Sequence, residues 1–254
     1  MEPAPAFLHA LRSTILPNVL RIPLLPPTAP TRHRPRLAPA LRRAALGLLL
    51  AATALRLPAW DSARLQQSAE RLGPRAVASL DLLLPVLREA ALADEPTRLN
   101  RINEFFNRHL LFREDSAVWG QQDYWASPLE TLSKGAGDCE DFAIAKYFSL
   151  RATGVPGERL RLVYVQALQG GPNGVAQAHM VLAYHARPGA EPLILDSLVT
   201  EVRPASRRPD LLPVFSFNAE GLWPGTGADA PTDPLARLSR WRELLSKARA
   251  EGFL

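Results

Sequence analysis

The chain has 254 residues, with 30 Lys plus Arg against 25 Asp plus Glu, 24 Pro and one Cys. A single cysteine excludes a disulfide framework and a cysteine-rich zinc module, and 47% apolar with 22% charged residues excludes disorder throughout. The net charge of +5 raises nucleic acid or an anionic surface as a partner, but residues 1–60 alone hold eight Arg, no Lys and one acid, Glu2, leaving 22 basic and 24 acidic residues beyond them. The remainder is slightly acidic and has no basic patch or aromatic-basic motif, so nucleic-acid binding has no support.

Residues 1–60 read as a basic, proline-rich leader. Arg42-Arg43 precede the small and apolar run Ala44 to Leu55, the n-region and h-region layout of a secretory signal. Twelve residues are short for a membrane span. A cleaved signal and an uncleaved anchor with Arg56 and Trp60 at the interface both remain open, and either exports the rest of the chain.

From Trp60 to about residue 112 the pattern is helical. Leu65, Leu72, Val77, Leu80, Leu83, Leu84, Val86 and Leu87 recur at three-to-four spacing, interrupted at Gly73-Pro74, with a possible kink at Pro85. Asp94-Glu95-Pro96 starts a second helix that runs through Leu99, Ile102, Phe105 and Phe106 to Leu110. His109 in that helix reads as structural. After Asp123 comes Gly135-Ala136-Gly137-Asp138, then a helical run from Cys139 to Arg151. Three apolar runs follow, Leu160 to Ala167, His179 to Ala186 and Leu193 to Leu198, separated by Gly- and Pro-containing turns. They predict consecutive antiparallel strands, and helices followed by a meander give an α+β fold. A last helix is predicted from Asp233 to Ala250, with Leu235, Leu238, Trp241, Leu244 and Leu245 on one side. That stripe is open as core or as a partner-binding face.

Cys139 follows the predicted cap Asp138 and so falls in the first turn of a helix, where the partial positive charge favours thiolate, the nucleophilic form. Position alone leaves it open as a nucleophile or as a small buried apolar residue. A cysteine nucleophile needs a base and a group to orient that base. His179 opens one predicted strand and Asp196 lies near the end of the next, so an ordinary hairpin can bring both to one end of the sheet. His185 is six residues along the same strand, roughly 20 Å away at the strand rise, so only one of the two histidines can serve Cys139.

Several segments together resemble the bacterial transglutaminase-like cysteine proteinases of the LapG type. They are Asp123-Tyr-Trp-Ala-Ser-Pro-Leu-Glu130, Gly135-x-Gly-Asp-Cys-Glu-Asp-Phe-Ala-Ile-Ala-Lys-Tyr147, Gly154-Val-Pro, Leu160-Arg-Leu-Val-Tyr-Val, His179-Met-Val-Leu-Ala-Tyr and Leu193-Ile-Leu-Asp-Ser-Leu198. The resemblance implies a papain-like, transglutaminase-like fold over residues 61–225, with a helical prelude at 61–118 and a catalytic part at 119–225; the leader before Arg42 and the C-terminal helix at 226–254 are no part of the resemblance. It implies Cys139 as nucleophile, His179 as base and Asp196 as orienter. It also implies a periplasmic, calcium-dependent endopeptidase that clips the N-terminal region of a large surface adhesin, restrained by an inner-membrane cyclic-di-GMP receptor. Acyl transfer to an amine would use the same residues, and a non-catalytic binding module is the third reading. Asp138, Glu140 and Asp141 surround a group that must become negative, which like charges oppose. Calcium on Asp138 and Glu140 is expected to order the turn and remove that opposition; the competing reading is a helix cap with first-turn acids. Trp119 and Trp125 are open as core, cleft or receptor contact.

Overall fold

The computed structural model describes residues 60–170, 174–227, 233 and 238–254. The leader with its signal or anchor, the middle of the glycine turn and the first residues of the predicted last helix, Leu235 among them, lie outside the described residues.

The helical prelude follows its capping residues. Helix α1 (Ser62–Leu72) starts at Asp61, whose carboxylate accepts from the Arg64 amide at 3.0 Å, and stops at Gly73, whose φ of 108° suits only glycine. Helix α2 (Pro74–Leu92) has Pro74 in its first turn, where the missing N–H costs nothing, and continues through Pro85 as one element. Helix α3 (Glu95–His109) is capped by Asp94, which accepts from the Thr97 amide at 2.9 Å, and it buries Leu99, Ile102, Phe105 and Phe106 as its spacing predicts. His109 stacks on Phe105 at 4.2 Å between centroids and bonds the Phe105 carbonyl through Nδ1 at 2.8 Å, a local structural role.

A two-residue parallel pair, β1 (Leu111–Phe112) with β2 (Ala136–Gly137), then ties two segments that are distant in sequence. It places the short helix α4 (Asp115–Val118) beside the turn that starts the central helix. Helix α5 (Pro128–Lys134), between them, opens with a capping box of Ser127 and Glu130. The central helix α6 (Cys139–Ala152) is buried on almost every side, from Asp141 to Leu150, as only a core helix can be.

Helix α6 packs against β3 (Leu160–Gln169) and β4 (Val175–Tyr184), the middle strands of a six-stranded antiparallel sheet. The remaining strands are β5 (Leu193–Leu195), β6 (Arg203–Pro204), β7 (Leu211–Phe217) and β8 (Leu222–Pro224), in the order β6-β5-β4-β3-β7-β8. Both faces are apolar. Leu162, Met180, Leu182 and Phe217 join the helical core, while Val163, Val165, Val181, Ala183 and Ile194 form a second cluster. This is why β3 and β4 read as unbroken apolar runs. Two sequence expectations shift: β4 begins four residues before His179 rather than at it, and β5 ends at Leu195 rather than Leu198. Strands β6 to β8 have no counterpart in the sequence reading. They are short, and β7 contains Pro213 beside a register shift opposite Tyr164 and Val165.

The last helix, α7 (Ser239–Glu251), lies within the predicted span, residues 234–237 of which are outside the described residues. Its apolar stripe is core: Trp241 is fully buried against Tyr147, Phe148 and Phe217, and its indole N–H donates to the Asn218 carbonyl at 3.0 Å. Beyond it, the Gly252 carbonyl accepts from the Asp61 amide at 2.8 Å, joining α7 to the start of α1. No described helix is long and apolar enough to cross a membrane.

One buried carboxyl group gives this packing a pH dependence. Glu251 accepts from the Ser127 hydroxyl and the Leu129 amide, and burial pushes its pKa up from 4.5 to about 7. A raised folded-state pKa means stability that is complete below pH 4.5 and lost as pH rises through about 7. Thermal melts at fixed salt across that window are expected to show Glu251→Gln losing on the order of 3 kcal/mol less than wild type. Parallel curves for the two proteins would refute this.

Candidate active site

Cys139 lines a cleft of about 540 Å³ whose walls also include Trp125, Asp138, His179, Tyr164 and Phe215. The cysteine stands at the first residue of α6, so the otherwise buried helix delivers one reactive atom to a surface. Trp125 is both cleft wall and core, stacking on Phe217 at 5.6 Å, whereas Trp119 pairs with Tyr124 at 4.5 Å.

The sheet positions the second and third groups. Leu182 faces Leu195 across β4 and β5, so continuing the register by one residue puts Asp196 opposite Val181. His179 is then the diagonal neighbour of Asp196 on the same face, within reach of an imidazole. The observed contact is His179 Nε2 to Asp196 Oδ1 at 2.7 Å, with both residues buried. Burial alone would raise the Asp196 pKa. The His179 contact, the Leu198 amide on Oδ1 at 3.0 Å and the Arg208 charge outweigh burial and hold the pKa down to about 2. An ionised Asp196 can only accept, so Nε2 carries the proton and Nδ1 is the basic nitrogen. His185 lies one residue past β4, with Nδ1 turned to the Ala190 carbonyl at 3.3 Å, and lines a different groove.

Around the sulfur, negative charge dominates. The thiol donates to Glu140 Oε2 at 3.0 Å, and the Met180 amide hydrogen-bonds the sulfur. Burial first, and then the Glu140 and Asp138 carboxylates, push the thiol pKa well above its ordinary value and outweigh the helix terminus. Asp138 stands at the cap position and Glu140 and Asp141 in the first turn, but the Asp138 side chain makes no capping bond. Its Oδ1 is buried without a partner among the described residues, as are Asp115 Oδ1 and Asp141 Oδ2. Burial and then Glu140 push Asp138 up to about 10, and Asp115 and Asp141 are also raised, mainly by burial.

The carboxylates that carry these oxygens converge. Asp115, Asp138 and Asp141 offer carboxylate atoms within 4.8 Å of one another, and so do Asp115, Asp123 and Glu140. An all-oxygen set of this kind suits a hard divalent cation. The sequence reading names Asp138 and Glu140 as ligands, and both belong to the cluster. It does not name Asp115 or Asp123 as ligands, because they become neighbours only through the β1–β2 pairing and the loop after α4. Gly137 is part of the same cradle, since a Cβ there would lie 2.5 Å from Asp141 Oδ2. Sequence reasoning also passes over Asn107, Lys146 and Arg208, which contact Asp196 from three separate elements. For Lys146 a signal existed: it is a charged residue inside a helix that is otherwise apolar around it.

A family model described as bacterial transglutaminase-like cysteine proteinase matches residues 87–210. Among solved structures, EGTA-treated LapG from Legionella pneumophila is 38% identical, with a TM-score of 0.64, covering 72% of this chain and 95% of that one. Calcium-bound LapG from the same organism is also 38% identical, with a TM-score of 0.61, over 72% of this chain and 96% of that one. Among curated proteins no relative matches. The α+β architecture and these likenesses agree: the chain belongs to the bacterial transglutaminase-like cysteine proteinases and is a cysteine peptidase.

Proposed function

We propose that this peptidase is a calcium-dependent periplasmic endopeptidase that cuts the N-terminal region of a large cell-surface adhesin, using Cys139, His179 and Asp196. The observation that carries this reading is one cleft holding the chain's sole cysteine and an imidazole bonded to an ionised carboxylate. His179 Nδ1 takes the thiol proton, and the thiolate attacks the scissile carbonyl. The imidazolium then gives its proton to the departing amine, and water, activated by the same nitrogen, resolves the acyl-enzyme. The Cys139 amide, a first-turn N–H without an intrahelical partner, supplies one donor for the oxyanion.

Asp115, Asp138 and Asp141, with Asp123 and Glu140, would hold the calcium ion. When bound, calcium supplies positive charge that offsets the carboxylates opposing thiolate formation. The three orphaned oxygens support this assignment, as does the calcium-bound state of the Legionella relative. The secretory layout of the leader supports a periplasmic location, and the resemblance of residues 123–198 supports an adhesin substrate and an inner-membrane cyclic-di-GMP receptor as inhibitory partner.

Incubation of the calcium-loaded chain with an adhesin N-terminal fragment is expected to give one cut, followed by product mass. Cys139→Ala or a calcium chelator should each reduce that rate by at least ~10³-fold. Cleavage surviving both changes overturns the mechanism. In calcium titration calorimetry, Asp115→Asn and Gly137→Ala should each weaken binding by on the order of tenfold or more, the first through lost charge and the second by displacing Asp141. Wild-type affinity in Asp115→Asn would remove Asp115 from the ligand set.

A further inference from the structure

Arg208 is only 4% exposed, although a guanidinium is among the groups least easily taken out of water. It lies in the loop between β6 and β7, outside every motif that marks the site in sequence. Its Nη2 is 2.7 Å from Asp196 Oδ2 and 2.7 Å from Asp210 Oδ2, and its Nε donates to Asp210 Oδ1 at 3.0 Å. The Asp210 side chain is 35% exposed and could be paired at the surface, so it gives no reason to bury an arginine. Asp196, with a side chain that is fully buried, does.

The two Asp196 oxygens have separate tasks. Oδ1 accepts from His179 Nε2 and from the Leu198 amide, whereas Oδ2 is buried without a hydrogen-bond donor among the described residues and has the Arg208 charge 2.7 Å away as its compensation. The backbone of the same residue is pinned as well, its carbonyl accepting from Lys146 Nζ at 3.0 Å and Asn107 Nδ2 at 2.8 Å. Neither of those bonds fixes rotation of the carboxylate about its own side chain. Arg208 does so by charge: Asp210 accepts the hydrogen bonds of its fork and so fixes the guanidinium, which holds Nη2 2.7 Å from Asp196 Oδ2.

We propose that Arg208 is a positioning residue of this peptidase, holding Asp196 Oδ2 so that Oδ1 meets His179 Nε2. The proposal rests on the reading of Cys139, His179 and Asp196 as the catalytic groups. Without the guanidinium, a buried carboxylate would either turn or take up a proton. A protonated Asp196 can donate to Nε2, which moves the imidazole proton to Nδ1 and removes the base that the proposed mechanism needs for the thiol proton. Arg208 therefore acts on the reaction through the histidine tautomer, without touching substrate.

The test is a double-substitution cycle in the calcium-loaded full chain, measuring kcat and KM on one peptide substrate with melting temperatures alongside. Arg208→Met is expected to lower kcat by about 10–100-fold with KM changed less than ~2-fold, and Arg208→Lys to recover much of the loss. In an Asp196→Asn background, whose amide needs no counter-charge, the same substitutions should alter kcat by less than ~2-fold. In proton NMR, the His179 Nε2–H resonance should be lost or displaced in Arg208→Met and retained in Arg208→Lys. Equal losses in both backgrounds, or an unchanged resonance in Arg208→Met, overturn the proposal. If Arg208→Met does not fold, Arg208→Lys carries the same comparison, with a loss confined to the wild-type background expected and an equal loss in both overturning it. Wild-type kcat in Asp196→Asn alone would sink the underlying triad reading instead.

Discussion

The carboxylates of Asp138 and Glu140 crowd against a thiol that has to lose a proton, with Asp115 and Asp141 crowded against them in turn, and much else in this protein answers to that electrostatic conflict. Buried carboxylates with one oxygen each left unpaired among the described residues raise each other's proton affinity, and Glu140 and Asp138 raise that of the sulfur with them. A helix N-terminus contributes at most a partial positive charge, too little against several nearby anions and loss of solvent. The arrangement is intelligible as one half of a charge-balanced centre. Under the proposed calcium dependence the other half comes from solution, and the resting chemistry of Cys139 is set by what its surroundings hold rather than by the helix that carries it.

On the opposite wall the same problem is solved from within the chain. Asp196 is also a buried carboxylate, yet it is held ionised, because His179, a backbone amide and Arg208 surround it. The contrast between Asp138 and Asp196 shows how little residue type decides. Both are buried aspartates lining or backing one cleft, and their proton affinities are driven in opposite directions by their neighbours. Sheet register does the positioning: a one-residue slip between β4 and β5 would send His179 and Asp196 to opposite faces.

Much of this was legible in sequence for identifiable reasons. The caps at Asp94 and Gly73, the all-round apolar pattern of α6 and the unbroken runs of β3 and β4 each follow from a local rule, and the structure shows each of them. The helix start, the expected hairpin and the family resemblance together singled out Cys139, His179 and Asp196; the structure bonds His179 to Asp196 and lines one cleft with Cys139 and His179. What stayed hidden depends on contacts between distant segments. Asp115 reaches Asp138 only through the β1–β2 pair, and Arg208 reaches Asp196 only once β5 and β6 have turned back on each other. Strands β6 to β8 were invisible because two- and three-residue strands, and one broken by Pro213, carry no period to read. Asp138 stands at the cap position that its place in the chain predicts, and only the direction of its side chain, invisible in sequence, shows that it makes no capping bond.

The burial of Trp241 has a meaning for how the protein is divided. The stretch that identifies the family ends at residue 210, yet β7, β8 and α7 all come later, and Trp241 fills the space between Tyr147, Phe148 and Phe217. The boundary of the recognisable signature and the boundary of the cooperative folding unit are therefore different lines. A fragment trimmed to the signature would keep the cysteine, the histidine and the aspartate while opening a void behind the nucleophile's helix. Chemistry and foldability are thus distributed unequally along the chain, and the least diagnostic segment supplies the largest fully buried side chain.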